Sequence, residues 1–138
     1  MTVSPIVYVD TSALGALLIE QPECCTGEWL DHTSSALVSC DLLETELRRV
    51  AVREGLDQAD VMRMLDGVAL AALPGRLSER WFPPMPYLRT VDALHLEAAM
   101  RLDADGMLTY DHRLGEAAGS IGLKVISPGV SAEASGST

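Results

Sequence analysis

Residues 6–14, IVYVDTSAL, decide the fold. Ile6 to Val9 form a short, β-branched and wholly apolar run, the pattern of a strand buried on both faces of a parallel sheet. Asp10 ends that run, and the residues after it favour a helix that Ser12 can cap and that closes near Glu20. An aspartate in this position has two explanations. It caps the helix, which Thr11 or Ser12 could do equally well, or it stands at the carboxyl end of a central strand, where open α/β sheets bind their ligands.

Outward from this stretch the same alternation repeats. Pro22 suits the first turn of a helix running to about His32, and Ala36 to Ser39 is the second strand. Asp41 followed by Glu44 reads as a capping box opening a helix over 42–54, with Gly55 as its stop. Asp57 and Asp60 repeat the opening device, Leu56 and Val61 are spaced as a hydrophobic staple, and that helix runs to about Asp66. Val68 to Leu73 is a candidate third strand. The segment WFPPMPY, 81–87, cannot be a continuous helix, because three prolines remove donors and clash with the preceding turn, so it is a connector. A strongly apolar helix over 91–102, a strand at 107–109, a helix over 111–118 and a last strand at 123–126 complete the chain. Strands that alternate with helices predict a mostly parallel sheet covered on both faces, an α/β fold of three layers. The chain reads as one domain over residues 1–128, with 129–138, small and polar, as a flexible tail.

Composition narrows the function. At 138 residues there is room for one core. No apolar run reaches the roughly 18 residues of a membrane span, and residues 1–9 lack the basic start and apolar stretch of a secretory signal, so a soluble cytoplasmic protein is expected. Cys24, Cys25 and Cys40 show no C-x-x-C spacing and read as reduced thiols, and the three histidines are scattered rather than arranged as zinc ligands. Twenty acids against ten bases give a net charge of −10, which argues against a broad basic face for nucleic acid. Arginine nevertheless dominates the bases, and Arg48, Arg49 and Arg53 fall within six residues. They are candidates for phosphate contact, which arginine makes as a fork, or else a solvated helix face with local ion pairs.

Four acids resist a purely structural account. Asp10 ends a strand that should be buried. Glu46 lies on the shoulder of the stripe formed by Leu43, Leu47, Val50 and Ala51, where a solvated glutamate would be out of place unless its stem alone is covered. Asp92 falls inside an apolar arc with His95, Leu96 and Ala99, while Glu97 and Arg101 carry the polar face of that helix. A lone buried carboxylate costs several kcal/mol or takes up a proton, so Asp92 needs a partner unless it is a first-turn cap. His95 on the same arc is read as a packed core histidine. Asp111 follows the strand MLTY and opens a helix, repeating the situation of Asp10. If the four converge, two carboxylates about 4 Å apart repel by roughly 4 kcal/mol at an effective dielectric of 20, and four of them make six such pairs. Only a counter-charge makes that tolerable, and an all-oxygen anionic cluster selects Mg²⁺ or Mn²⁺. Such ions acidify a bound water and neutralise charge on a phosphodiester, so phosphate chemistry is the natural use.

With those residues in hand, VYVDTSAL, LLETELRR, RTVDALHLEAA and LTYDHRLGEAAGSIGLKVISP resemble, in order and at ordinary separations over residues 6–128, the motifs of PIN-domain ribonucleases and specifically of VapC-type bacterial toxins. The resemblance implies a PIN-like α/β/α sandwich and Mg²⁺- or Mn²⁺-dependent endonucleolytic cleavage of RNA. It also implies a homodimer and neutralisation by a cognate antitoxin, as in type II toxin–antitoxin pairs. On it, Asp10, Glu46, Asp92 and Asp111 are the metal-binding and catalytic quartet, and Thr11, Ser12 and Thr109 lend hydroxyl support. The proline-rich connector before Asp92 departs from the pattern.

Other functions fit less well. A haloacid-dehalogenase-like phosphatase wants a second aspartate where Ser12 stands, and a phospho-receiver domain pairs acids after its first strand, where this chain has one. A PIN scaffold acting only through protein contacts would tolerate the loss of one of the four acids, and all four are present.

Overall fold

The computed structural model describes residues 4–19, 26–72 and 88–129. Five strands, β1 (Ile6–Val9), β2 (Ala36–Cys40), β3 (Ala69–Ala71), β4 (Gly106–Leu108) and β5 (Lys124–Ile126), form one sheet in the order β3-β2-β1-β4-β5. Every pairing is parallel, with Tyr8 opposite both Val38 and Met107. Between the strands run α1 (Thr11–Leu18), α2 (Thr26–His32), α3 (Leu42–Glu54), α4 (Gln58–Leu65), α5 (Thr90–Arg101) and α6 (His112–Ser120).

The period-2 alternation of β1 separates the two cores. Val7 and Val9 join α1, α3 and α4 through Leu14, Leu43, Leu47 and Val61 on one face. Tyr8 points the other way, among Leu96 and Ala99 of α5 and Leu114 and Ala117 of α6. Helices thus cover both faces of a parallel sheet, the three-layer sandwich that the alternation predicts.

Strand order carries the functional consequence. From β1 the chain steps outward to β2 and β3, then returns to place β4 on the opposite side of β1 before stepping out to β5. The direction of winding therefore reverses between β1 and β4. In open α/β sheets the crevice outside the carboxyl ends of the strands at such a reversal is where ligands bind. Gly106 lets β4 come close to β5, since a Cβ there would lie 2.9 Å from the Lys124 carbonyl oxygen.

Several local expectations need correction. The cap of α1 is Asp10, whose side chain accepts from the Ser12 N–H, and not Ser12. Asp41 stands in helical conformation (φ −65°, ψ −12°) and its side chain does not cap α3, while Glu44 pairs with Arg48 one turn on at 2.8 Å. The capping box is thus replaced by an i,i+4 ion pair. Glu97, expected on a polar face, is 1 % exposed, and Arg101 compensates it at 3.1 Å. The reason is that α5 is covered nearly all round, with Asp92, Ala93, His95 and Leu96 through Ala99 all buried. Other expectations hold: Gly55 ends α3 in the left-handed region at φ 68°, and Asp57 caps α4 through the Ala59 N–H. The third strand is shorter than its candidate span. The connector at 81–87, the region of Pro22 and all of the tail except Gly129 lie outside the described residues. Among those residues no helix is long and apolar enough to cross a membrane.

Candidate active site

Asp10 and Asp111 leave the sheet at adjacent points, because Val9 pairs with Leu108 and each chain then turns into a helix. Asp10 N–H still donates to the Leu108 carbonyl at 3.0 Å, so the first aspartate is fixed at the reversal point by the ladder itself. It is 4 % exposed. Its Oδ2 accepts from the hydroxyls of Ser12 at 2.7 Å and Thr109 at 2.9 Å and from the Ser12 N–H at 3.3 Å. Both hydroxyl protons go to that one oxygen, which makes the 3.2 Å approach of Ser12 Oγ to Thr109 Oγ1 a consequence rather than a third bond. The same hydroxyls accept from the next strand's exit: Ser12 Oγ from the Tyr110 N–H and Thr109 Oγ1 from the Asp111 N–H. Asp111 caps α6 through Oδ1, accepting from the Leu114 N–H at 3.0 Å, which leaves Oδ2 outside the cap.

The other two acids arrive on helices. Glu46 of α3 accepts on Oε1 from Thr11 Oγ1 and from His95 Nε2, both at 2.6 Å. His95 is 1 % exposed, and its Nε2 is also 3.8 Å from Asp10 Oδ1. On its far side Nδ1 meets the Tyr8 hydroxyl at 2.7 Å, and that hydroxyl donates to Cys40 Sγ at 3.1 Å. A tyrosine proton spent on sulfur leaves its oxygen to accept from Nδ1–H, the arrangement in which both imidazole nitrogens donate and the ring is charged. Burial opposes that charge, yet the hydrogen bonds with Cys40 and Glu46 and the nearby charges of Asp10 and Glu46 push His95 up to about 10. Glu46 responds in the opposite sense. Burial would raise it, but the bonds from His95 and Thr11 and the charge of His95 hold it below the usual carboxylate range.

Asp92, 5 % exposed in the first turn of α5, has the partner its burial requires. Arg89 forks it, with Nε 3.0 Å from Oδ2 and Nη2 3.3 Å from Oδ1, and the same Nη2 lies 3.6 Å from Asp111 Oδ2. Contacts thus chain the four acids in pairs: Asp10 with Asp111 through Thr109, Asp10 with Glu46 through His95, and Asp92 with Asp111 through Arg89.

As the side chains stand, no three acid, histidine or cysteine groups among the described residues form a ready ligand set for an ion. Cations of the chain itself occupy the intervals. The donor chemistry nevertheless suits a hard divalent ion: four carboxylates, with Asp10 Oδ1 free of the hydroxyl pair and Asp111 Oδ2 free of the helix cap. Two concavities of about 320 and 350 Å³ lie elsewhere, the first around Trp29 and His32 and the second around Trp29, Gly106 and Lys124, and neither is lined by any of the four acids.

The three arginines of α3 fall outside this constellation. Arg48 is spent on Glu44, Gln58 and Met62. Arg53 lies 4.0 Å from Glu54, and Arg49 is exposed. The spacing of α3 puts Arg49 and Arg53, at i+3 and i+7, on the side of the helix that carries Glu46, and Arg48 on the other. Sequence reasoning missed Arg89 altogether and took His95 for core packing alone. A basic residue one turn before a buried aspartate was the available signal for the first. For the second there was none, because the Glu46–His95 contact joins residues 49 apart.

A PIN-domain family model matches residues 7–120. Ribonuclease VapC35 of Mycobacterium tuberculosis is 35 % identical over 135 residues, covering 90 % of this chain and 98 % of that protein. Ribonuclease VapC47 of the same organism is 36 % identical with the same coverage, and Ribonuclease VapC46 is 32 % identical over 126 residues, covering 88 % and 97 %. Among solved structures, a PilT N-terminus domain protein from the hyperthermophilic archaeon Sulfolobus solfataricus P2 superposes with a TM-score of 0.57 at 17 % identity, covering 88 % of this chain and 85 % of that one. That likeness concerns the fold.

Proposed function

This chain belongs to the PIN-domain family, and from that premise we propose that it is a divalent-metal-dependent endoribonuclease, the toxin of a type II toxin–antitoxin pair. The observation that carries the proposal is the meeting of acids from β1, α3, α5 and the exit of β4 at the point where the sheet reverses its winding.

Asp10, Asp92 and Asp111 would hold Mg²⁺ or Mn²⁺, with Glu46 completing the set. When bound, the ion would lower the pKa of a coordinated water and set positive charge against the phosphodiester. The protein's own groups prepare this. Thr109 and Ser12 fix Asp10 Oδ2, so that carboxylate presents Oδ1 in one orientation. Thr11 and His95 hold Glu46 as a carboxylate in one orientation, able to orient the attacking water. The surplus of acids is thereby partly explained, since four belong to a site that a cation neutralises. RNA contact is then local, made at the site's rim with Arg49 and Arg53 as candidate contributors on the Glu46 side of α3. A cognate antitoxin that covers this site, and a homodimer that shares substrate contacts, complete the proposal for a cytoplasmic protein.

The decisive experiment is cleavage of a mixed RNA by the purified chain with Mn²⁺ or Mg²⁺ and with chelator. Asp10→Asn and Asp92→Asn should each reduce the rate by more than the roughly 10- to 100-fold typical of losing an outer-sphere partner, with far-UV circular dichroism unchanged. Cleavage at the parental rate in both variants would leave the acids without a role in the chemistry.

A further inference from the structure

The α3 arginines are remote by contact, but one arginine stands inside the acid cluster. Arg89 occupies the N-cap of α5, so its backbone is fixed one turn before Asp92. Its guanidinium lies between Asp92 and Asp111. The two partners of the main pair differ sharply in environment: the Arg89 side chain is 73 % exposed and the Asp92 side chain 7 %. Asp92 therefore needs a cation, whereas Arg89 sacrifices little by leaving, because water can solvate it where it stands. An ion taking Asp92 and Asp111 together would compete with the guanidinium, which engages both oxygens of Asp92 and faces Asp111 Oδ2. Once displaced, the fork remains tethered at the mouth of the site with all its donors open. Its geometry matches the non-bridging oxygens of a phosphate.

We infer that Arg89 is the substrate-contacting arginine of this site: it holds the place of the divalent ion between Asp92 and Asp111 in the metal-free chain and grips the scissile phosphodiester when the ion is bound. The inference rests on the proposed reading of these acids as ion ligands. No other arginine among the described residues contacts two of the four acids, and His95 is too deeply buried to reach a polymer.

The test uses the full chain and two measurements on Arg89→Ala. Mg²⁺ affinity, by calorimetry without RNA, should rise several-fold, because the acids lose their competitor. RNA cleavage at saturating Mg²⁺ should fall about 10- to 100-fold in kcat/KM, the loss of a charge-assisted contact. Arg89→Lys should recover part of the cleavage. Opposite movement of the two quantities is the signature, since a merely structural arginine would lower both together. The ¹⁵N-labelled chain adds a direct view: the Arg89 Nε–H resonance, identified by its loss in Arg89→Lys, should move to the position of a solvent-exposed arginine as Mg²⁺ saturates. If that resonance keeps its metal-free position while other site resonances shift, or if Arg89→Ala binds Mg²⁺ more weakly or cleaves at the parental kcat/KM, the inference is overturned alone. If Mg²⁺ neither binds the parental chain nor moves any resonance of Asp10, Asp92 or Asp111, the ion-ligand reading falls and takes the inference with it.

Discussion

The strand-borne and the helix-borne acids of the cluster are stabilised in different ways. Asp10 and Asp111 leave adjacent strands, and fixed dipoles hold them: two hydroxyls and a backbone N–H for Asp10, the first turn of α6 for Asp111. Glu46 and Asp92 come from helices packed against opposite faces of the sheet and are held by charged side chains, His95 and Arg89. Backbone and hydroxyl donors are built into the strand exits and do not exchange. Side-chain cations can be deprotonated or displaced, so the helix-borne pair is the adjustable half of the site. Within that half the two cations differ again, one sealed in the core beneath the sheet and the other standing in solvent.

Removing the sealed cation should have the largest effect. His95→Ala leaves Glu46, Tyr8 and a core vacancy uncompensated, and urea unfolding should show a loss of about 3 kcal/mol, the range for breaking one side of a buried pair. Arg89→Ala removes a cation that already stands in solvent but leaves the buried Asp92 unpaired, and should cost less, about 1–3 kcal/mol in the same experiment. Equal losses in the two variants would erase the distinction. On the strand-borne side, Thr109→Val keeps the shape but removes both the donor to Asp10 and the acceptor for the Asp111 N–H. A cost of about 1–3 kcal/mol is expected, together with weaker Mn²⁺ binding as Asp10 loses its fixed orientation. Unchanged Mn²⁺ affinity would mean that the hydroxyl serves folding only.

A pH dependence of the metal-free chain is expected as well. His95 is raised from 6.5 to about 10, so its contribution is fully present below pH 6.5 and lost as pH rises through about 10. Glu46 is lowered, so its contribution is present above about 4.5 and lost as pH falls through its depressed folded value. Urea midpoints measured in chelator should decline between pH 7 and 10, and His95→Gln should flatten that decline. The same slope in both proteins would assign it to another group.

Much of this was legible along the chain because the signals are local. Parallel strands announced themselves as short apolar runs, and α5 as an apolar helix carrying one misplaced aspartate. The acids at positions 10 and 111 were marked by a strand end meeting a helix start, and the chain indeed uses both as helix caps, so the structural and functional explanations coexist in the same side chains. The polar face assigned to Glu97 failed because helical periodicity describes one face of a helix and α5 is covered on nearly all of them.

The sequence by itself determined the layer order and which acids are out of place, since periodicity and cost of burial act between residues a few positions apart. Only the tertiary structure decided which charges meet. Glu46 finds His95 because α3 and α5 lie on opposite faces of the sheet and reach the same carboxyl end of its strands, and Arg89 reaches Asp111 because β4 is laid beside β1. Coulomb and hydrogen-bond energies depend on distances of a few ångströms in space, and a linear chain specifies those only after it has folded.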